Sequence, residues 1–407
     1  MKKCLINLNL LVKETQSITP AIMAERHTTI NIESCDLKGS KVFQTIGIAI
    51  RNCNMALKDT SVLNFKSGGI LTFLTEKNAV RMFKNRIATN GRFGMQLLGI
   101  SKSPHVSYCL IENNNGPGVQ ICTSNSCTLT KNTITLNKNG IEILSADPLI
   151  DDNIVEKNNQ NGILVKSLET LISNPNIKKN DISSNVGNGI FCTSIGNNSH
   201  IVSNKIHFNK HAGIKVGDTA NVKILRNDIY KNIFQGILVC EKSSAHIEKN
   251  KVHENIKANI AFGGDESRNT TVIKNEIFKG RCEGIFMIEA EDALVDRNNI
   301  YSNFNGIMCI TSIPTLTNNV IEDNKNHGVI LLKDSNPVMK DNQIIGNGHC
   351  GVFVKDKSRA EFVNNEIRKN KVGFVQEKSN PFSIGLEKNN IVDDEIRSPY
   401  AYRCTLI

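Results

Sequence analysis

Carboxylates that stand in pairs can divide acid and base work between them, and the sequence holds two adjacent pairs, Asp151-Asp152 and Asp393-Asp394. Two other stretches join a titratable group to a turn-former, Asp147-Pro148 and Gly348-His349-Cys350. A further set shares a position instead of a segment: His207, Tyr230, His253, Phe278 and Tyr301 each follow a central Ile or Val and recur about every 23 to 25 residues. Histidine offers an acid–base group near neutral pH, and an aromatic ring offers a face on which a sugar can pack. The same five rings can equally form a ladder that packs one face of a repeat or meets a protein. The 12 cysteines show no CxxC pair, and Cys192 and Cys309 fall where a small apolar core residue is needed, so reduced buried thiols are expected. No metal and no cofactor is expected.

These residues sit in a repeat, φ-x-x-N-x-φ-x-x-N followed by G-φ-x-φ, where φ is apolar. Asn180, Ile182, Asn185 and Gly189-Ile190-Phe191-Cys192 give one copy; Asn204, Ile206, Asn209 and Gly213-Ile214-Lys215-Val216 give the next. The central apolar residue runs through Leu37, Leu63, Ile87, Ile111, Ile134, Val155, Ile182, Ile206, Ile229, Val252, Ile277, Ile300, Ile321, Ile344, Ile367 and Ile391, with a mean step near 24 residues. A leucine-rich horseshoe would need a Leu ladder and a helical segment, whereas these apolar runs are short and rich in Ile and Val. Each copy reads as three short strands. Stacked in parallel at roughly 4.8 Å, they predict an all-β, single-stranded right-handed parallel β-helix of about sixteen coils. One domain spans 1–407, with 1–29 as N-terminal cap and first strand and 395–407, including Tyr400-Ala401-Tyr402, as C-terminal cap. Asn90, Asn114, Asn137, Asn158, Asn185, Asn209, Asn232, Asn255, Asn303, Asn324, Asn347 and Asn370 share one turn, as a structural amide ladder would. The glycine column suggests positive φ, and Asn259 in its place is the residue that tolerates that conformation next best.

The formal charge is +10, from 49 Lys and Arg against 39 Asp and Glu with the two signs mixed, which suits solubility and acidic partners. No zinc-finger, helix-turn-helix or aromatic RNA-binding signature accompanies it, so nucleic acid is not favoured. No stretch is apolar enough to span a membrane. Met1-Lys2-Lys3 and the apolar run behind it resemble a signal peptide, yet Ile6-Asn7-Leu8-Asn9-Leu10 alternates like a strand and no convincing small-residue cleavage site follows. A cytoplasmic protein is expected, with secretion left open; only Asn197 and Asn269 lie in glycosylation sequons.

In the G-φ-x-φ strand the middle residue must point outward when side chains alternate. That residue is Gln96, Gln120 and Glu142 in earlier copies, then Leu164, Phe191, Lys215, Leu238, Ala261, Phe286, Met308, Ile330, Phe353 and Val375. A ribbon of apolar side chains about 45 Å long is implied. Leu164, Phe191, Leu238, Phe286, Met308, Ile330, Phe353 and Val375 are therefore the expected interaction residues, covered by a partner protein, a second copy or this chain itself.

The unit N-x-I-x-x-N-x-x-x-G-I-x-V, from about Ile30 to Asp394, resembles parallel β-helix repeats of carbohydrate-binding and sugar-hydrolase modules, of periplasmic copper-maturation factors, and of eukaryotic F-box and spindle-associated Shc-binding proteins. That resemblance specifies fold far better than function. A polygalacturonase-like site would need Asn-Thr-Asp, Gly-His-Gly and Arg-Ile-Lys signatures, which the Asp pairs lack. An epimerase-like Asp-Pro-His cluster fails because Leu149-Ile150 follows Pro148. The expectation is thus a non-catalytic scaffold that docks proteins along its apolar flank. The Asn, Lys and Ile enrichment points to an AT-rich genome and adds a cytoskeletal or ciliary assembly as one setting. The alternative is a carbohydrate-active β-helix of the lyase, hydrolase or epimerase kind, or the substrate-recognition part of a ubiquitin ligase.

Overall fold

The computed structural model describes residues 4–7, 19–26, 28–42, 44–100, 104–122, 126–168, 171–264, 269–377 and 389–397. Every element among them is a strand or turn, and the strands pair in parallel. The chain forms two compact units, Met1–Lys210 and His211–Ile407. Each is built from the same three sheets, named here the Asn–Ile sheet, the glycine-led sheet and the third sheet.

In the first unit Ile111, Ile134, Val155, Ile182 and Ile206 lie in register down the Asn–Ile sheet. Met95, Val119, Ile141, Ile163 and Ile190 do so in the glycine-led sheet, and Val106, Leu129, Ile150, Ile177 and Ile201 in the third. The second unit repeats the plan with Ile229, Val252, Ile277, Ile300 and Ile321, then Ile237, Ile260, Ile285 and Ile307, then Ile224, Ile247, Val272 and Val295. All of these side chains are fully buried. Burying one contributes about 2 kcal/mol, so one-residue apolar triplets per coil suffice to close the core. Fifteen described strands belong to the third sheet, so about fifteen coils are complete.

Two positions of the central column are displaced by one residue. Val62 stands between Leu37 and Ile87, not Leu63, and Val392 follows Ile367, leaving Ile391 on the outside at 55% exposure. Winding also enters both expected end segments: Thr19–Glu25 pairs with Thr45–Arg51, and Ile396–Arg397 pairs with Phe374 and Val375. Residues 1–3, 8–18 and 398–407, with Tyr400, Ala401 and Tyr402, lie outside the described residues.

Asparagine pins the turns in two columns, not one. In the expected column, Asn324 donates from Nδ2 to Asn347 Oδ1 at 3.0 Å and to the Ile300 carbonyl at 3.1 Å, and its backbone N–H reaches Asn347 Oδ1 as well. The second column, Asn250, Asn275, Asn298, Asn319, Asn342 and Asn365, repeats that geometry on the other side of the central strand. The glycine column has a different cause from the one expected. Gly94, Gly306 and their equivalents do not have positive φ; a Cβ on Gly94 would lie 2.5 Å from the Gly118 carbonyl and 2.8 Å from Asn114 Nδ2. Close approach, not handedness, demands glycine there.

Asn259 likewise is not left-handed. The amide column lacks a side chain at Gly280, and Asn259 reaches across that gap: its Oδ1 accepts from Asn255 Nδ2 at 2.9 Å, and its Nδ2 donates to Asn303 Oδ1 at 2.9 Å.

Candidate functional site

The Asn–Ile sheet of the second unit carries the densest outward chemistry. Tyr230, His253, Phe278 and Tyr301 end four successive strands, Asp228–Tyr230, Lys251–His253, Glu276–Phe278 and Asn299–Tyr301, and lie in register. Their ring centroids are 5.0, 4.5 and 5.0 Å apart with interplanar angles of 8°, 8° and 3°. Stacking so close covers both faces of His253 and Phe278, which removes the sugar-stacking use of those rings and leaves their edges outward. His207 belongs to the first unit, where it meets Phe208 edge-on at 5.2 Å.

The strand starts supply carboxylates to these edges. Asp228 holds His253 Nε2 at 3.1 Å while Glu254 holds Nδ1 at 3.1 Å, so each imidazole nitrogen faces an oxygen. Glu276 accepts the Tyr301 hydroxyl at 2.7 Å, and in the first unit Asp181 pairs with His207 at 2.9 Å. The rule is geometric: the acid that begins one strand meets the ring that ends the strand of the next coil. Burial, helped by Glu276, pushes the Tyr301 phenol up to about 12, so it is a donor and a poor base at neutral pH.

A basic column flanks these pairs. Arg226, Lys249, Lys274 and Arg297 occupy the same turn in four coils, all exposed and all left-handed at φ 54°, 56°, 55° and 53°. The turn that presents the next residue, the buried amide of Asn227, Asn250, Asn275 or Asn298, needs this conformation, which costs about 1–2 kcal/mol for an L-residue. Lys231 and Lys279 add exposed charge on the other side, and Lys251 stands in register between Asp228 and Glu276, 3.5 Å from Glu276. Cations thus repeat with each coil, about 4.8 Å apart, and the carboxylate–ring pairs with every second coil.

Three of the other sequence candidates have structural partners. Asp394 ends the amide column by accepting from Asn370 at 2.8 and 3.0 Å; Asp147 accepts the Asn174 N–H at 2.6 Å; Asp151 lies 3.7 Å from Lys178. The apolar ribbon is in register within each unit, as Leu164 with Phe191, and as Leu238, Ala261, Phe286, Met308, Ile330, Phe353 and Val375. It is less open than expected. Ile330 is buried at 6% exposure and Ala261 at 3%, and the others are half-buried, because equal-sized neighbours above and below cover each side chain. His327 also lies over Phe353, centroids 5.2 Å apart at 23°.

Sequence reasoning missed two features. Ile233, Phe234, Ile256 and Phe304, in the turns after the amide column, are far more exposed than the ribbon, at 36–46%. His327, His349 and Cys350 converge from stacked turns.

Parallel strands, three sheets and in-register amide columns find their match in the family described as right handed beta helix region, over residues 14–148, 140–277 and 260–402. The chain belongs to this β-helix family. No curated protein sequence matches it. Among solved structures similar to this β-helix is a double mutant of the periplasmic alginate epimerase AlgG, at 14% identity and TM-score 0.48 over 78% of this chain and 76% of that one. Another is the A-module of an Azotobacter vinelandii mannuronan C-5 epimerase, at 10% identity and TM-score 0.36 over 86% and 90%. The Dettilon tailspike protein is a third, at 14% and 0.36 over 85% and 62%. Likeness at this level concerns the winding alone.

Proposed function

We propose that this β-helix binds an acidic sugar polymer along the outer face of the Asn–Ile sheet in its second unit. The supporting observation is the periodic array of polar groups: the Asp228–His253 and Glu276–Tyr301 pairs, two coils apart, stand beside the column Arg226, Lys249, Lys274 and Arg297, which recurs in every coil. A sugar hydroxyl both donates and accepts, which suits a face where carboxylates stand beside cations. Uronate carboxylates suit the flanking cations, two of which would exchange a carboxylate of this chain: Lys249 lies 3.1 Å from Glu248 and Arg297 2.6 Å from Asp296. A periodic face fits a linear polymer better than a single small molecule, which would use one coil. The epimerases among the fold neighbours are named for alginate and mannuronan, but what supports the reading is the face itself. Binding without turnover is the form proposed: ring faces are stacked, and the His253 and Tyr301 polar atoms are already bonded within the chain.

Electrophoresis of the protein through gels containing polygalacturonate, alginate or neutral dextran tests this. Retardation by the two polyuronates, weakened by salt and unaccompanied by unsaturated or reducing ends, is expected. Equal mobility in all three gels would overturn it, and accumulating chain ends would replace binding by catalysis.

A second reading, protein docking on the glycine-led sheet, is favoured by Leu238, Phe286, Met308, Phe353 and Val375, which are in register and half-exposed.

A further inference from the structure

We propose that His327, His349 and Cys350 form a three-ligand site for a borderline-soft divalent cation, zinc in the first instance, with a fourth position open to solvent. One ligand atom from each lies within 4.8 Å of the others, and His349 Nδ1 stands 3.1 Å from Cys350 Sγ. The two imidazoles are 4.9 Å apart and nearly perpendicular at 83°. A tetrahedral centre with Zn–N near 2.0 Å and Zn–S near 2.3 Å has ligand–ligand edges of roughly 3.5 Å, so side-chain rotation of about 1 Å closes the set.

The backbone already fixes where the ligands start. His327 and Cys350 occupy equivalent positions of consecutive coils, held by the Gly328 N–H to the Cys350 carbonyl at 2.9 Å, and the His349 N–H reaches the Asn326 carbonyl at 2.7 Å. Beside them runs the amide column Asn324, Asn347 and Asn370. Phe353 stacks on His327 and limits its rotation.

A second observation is an unsatisfied polar atom on one of the three. His327 Nδ1 is buried and has no hydrogen-bond partner, a condition that a native structure normally relieves with an atom at the vacant lone pair or proton. Cys350 is buried. Exposed His349 forms the mouth. The donor set is two nitrogens and a sulfur with no carboxylate, which selects against calcium and magnesium.

Titration of the reduced full-length chain with Co2+ tests the site. The expected result is tetrahedral ligand-field absorption with a thiolate charge-transfer band, saturating at one equivalent and displaced by Zn2+. Cys350→Ser should remove the charge-transfer band, and His349→Ala, at an exposed position that leaves the fold intact, should weaken binding at least tenfold. Cys282→Ser, a half-buried thiol of the same unit, should change neither. Absence of the band, or its survival in Cys350→Ser with the fold retained by circular dichroism, would overturn the proposal.

Discussion

Restoring the repeat's own glycine at position 259 should weaken the protein. Asn259→Gly removes a side chain that accepts from Asn255 Nδ2 at 2.9 Å and donates to Asn303 Oδ1 at 2.9 Å and to the Phe278 carbonyl at 3.1 Å. Buried bonds of this kind contribute about 1 kcal/mol each, and the added backbone freedom of glycine costs up to about 1 more, so a loss of about 3 kcal/mol follows. Gly280→Asn alone should also destabilise, by about 2 kcal/mol, because its Cβ would meet Asn259 Nδ2 at 2.8 Å and Asn303 Oδ1 at 3.0 Å. Both close atoms belong to the amide column, so the double substitution moves the amide to the position it holds in neighbouring coils. It should return to within about 1 kcal/mol of the parent, a coupling of about 4 kcal/mol or above. Urea unfolding followed by far-ultraviolet circular dichroism of the four proteins measures this. Additive losses in the double variant would refute the bridging role of Asn259.

Tyr301 should ionise later than a free phenol in an alkaline absorbance titration. Since its folded value lies near 12, above the ordinary 10, its stabilising contribution is complete below about pH 10 and lost as pH rises toward 12; Tyr301→Phe should remove the late step and that loss. Phe286→Ser with Phe353→Ser should cost about 2 kcal/mol per site, since half-buried rings also pack their neighbours, and unchanged stability would mean that they serve only a partner. Thiol titration of the native chain should label Cys282 before Cys192 and Cys309, which are fully buried, with equal rates contradicting the core assignment.

The winding was legible because its two determinants are local: a buried Ile between two amides, and a glycine before an alternating strand. Register failed where the landmarks did. Thr60 takes the asparagine position before Val62, accepting the Cys35 N–H and donating its own N–H to Asn85 Oδ1, so nothing marked Val62 over Leu63. At the other end Asn389 and Asn390 are adjacent, and the column uses Asn390. Outward columns were legible as columns, but their exposure was not, because identical neighbours one coil away cover much of each side chain. Ile330 shows this, lying between Met308 and Phe353. The His327, His349 and Cys350 set was hidden by its separation in the chain; a search for ligand types one coil apart would have found it. Glycine and left-handed backbone proved to be separate matters, with the left-handed turns assigned to residues such as Lys249 and Lys274.

The sharpest test of the polymer-binding face compares Lys249→Gln with Lys274→Gln, combined in one protein, against a control in which Lys357, in a third-sheet turn of the same unit, becomes Gln. Calorimetric titration with oligogalacturonate should show about a tenfold loss for the first, since two exposed charge contacts contribute about 1.4 kcal/mol together, and no change for the second. Equal affinities in both variants, or no heat with the parent protein, would contradict the account.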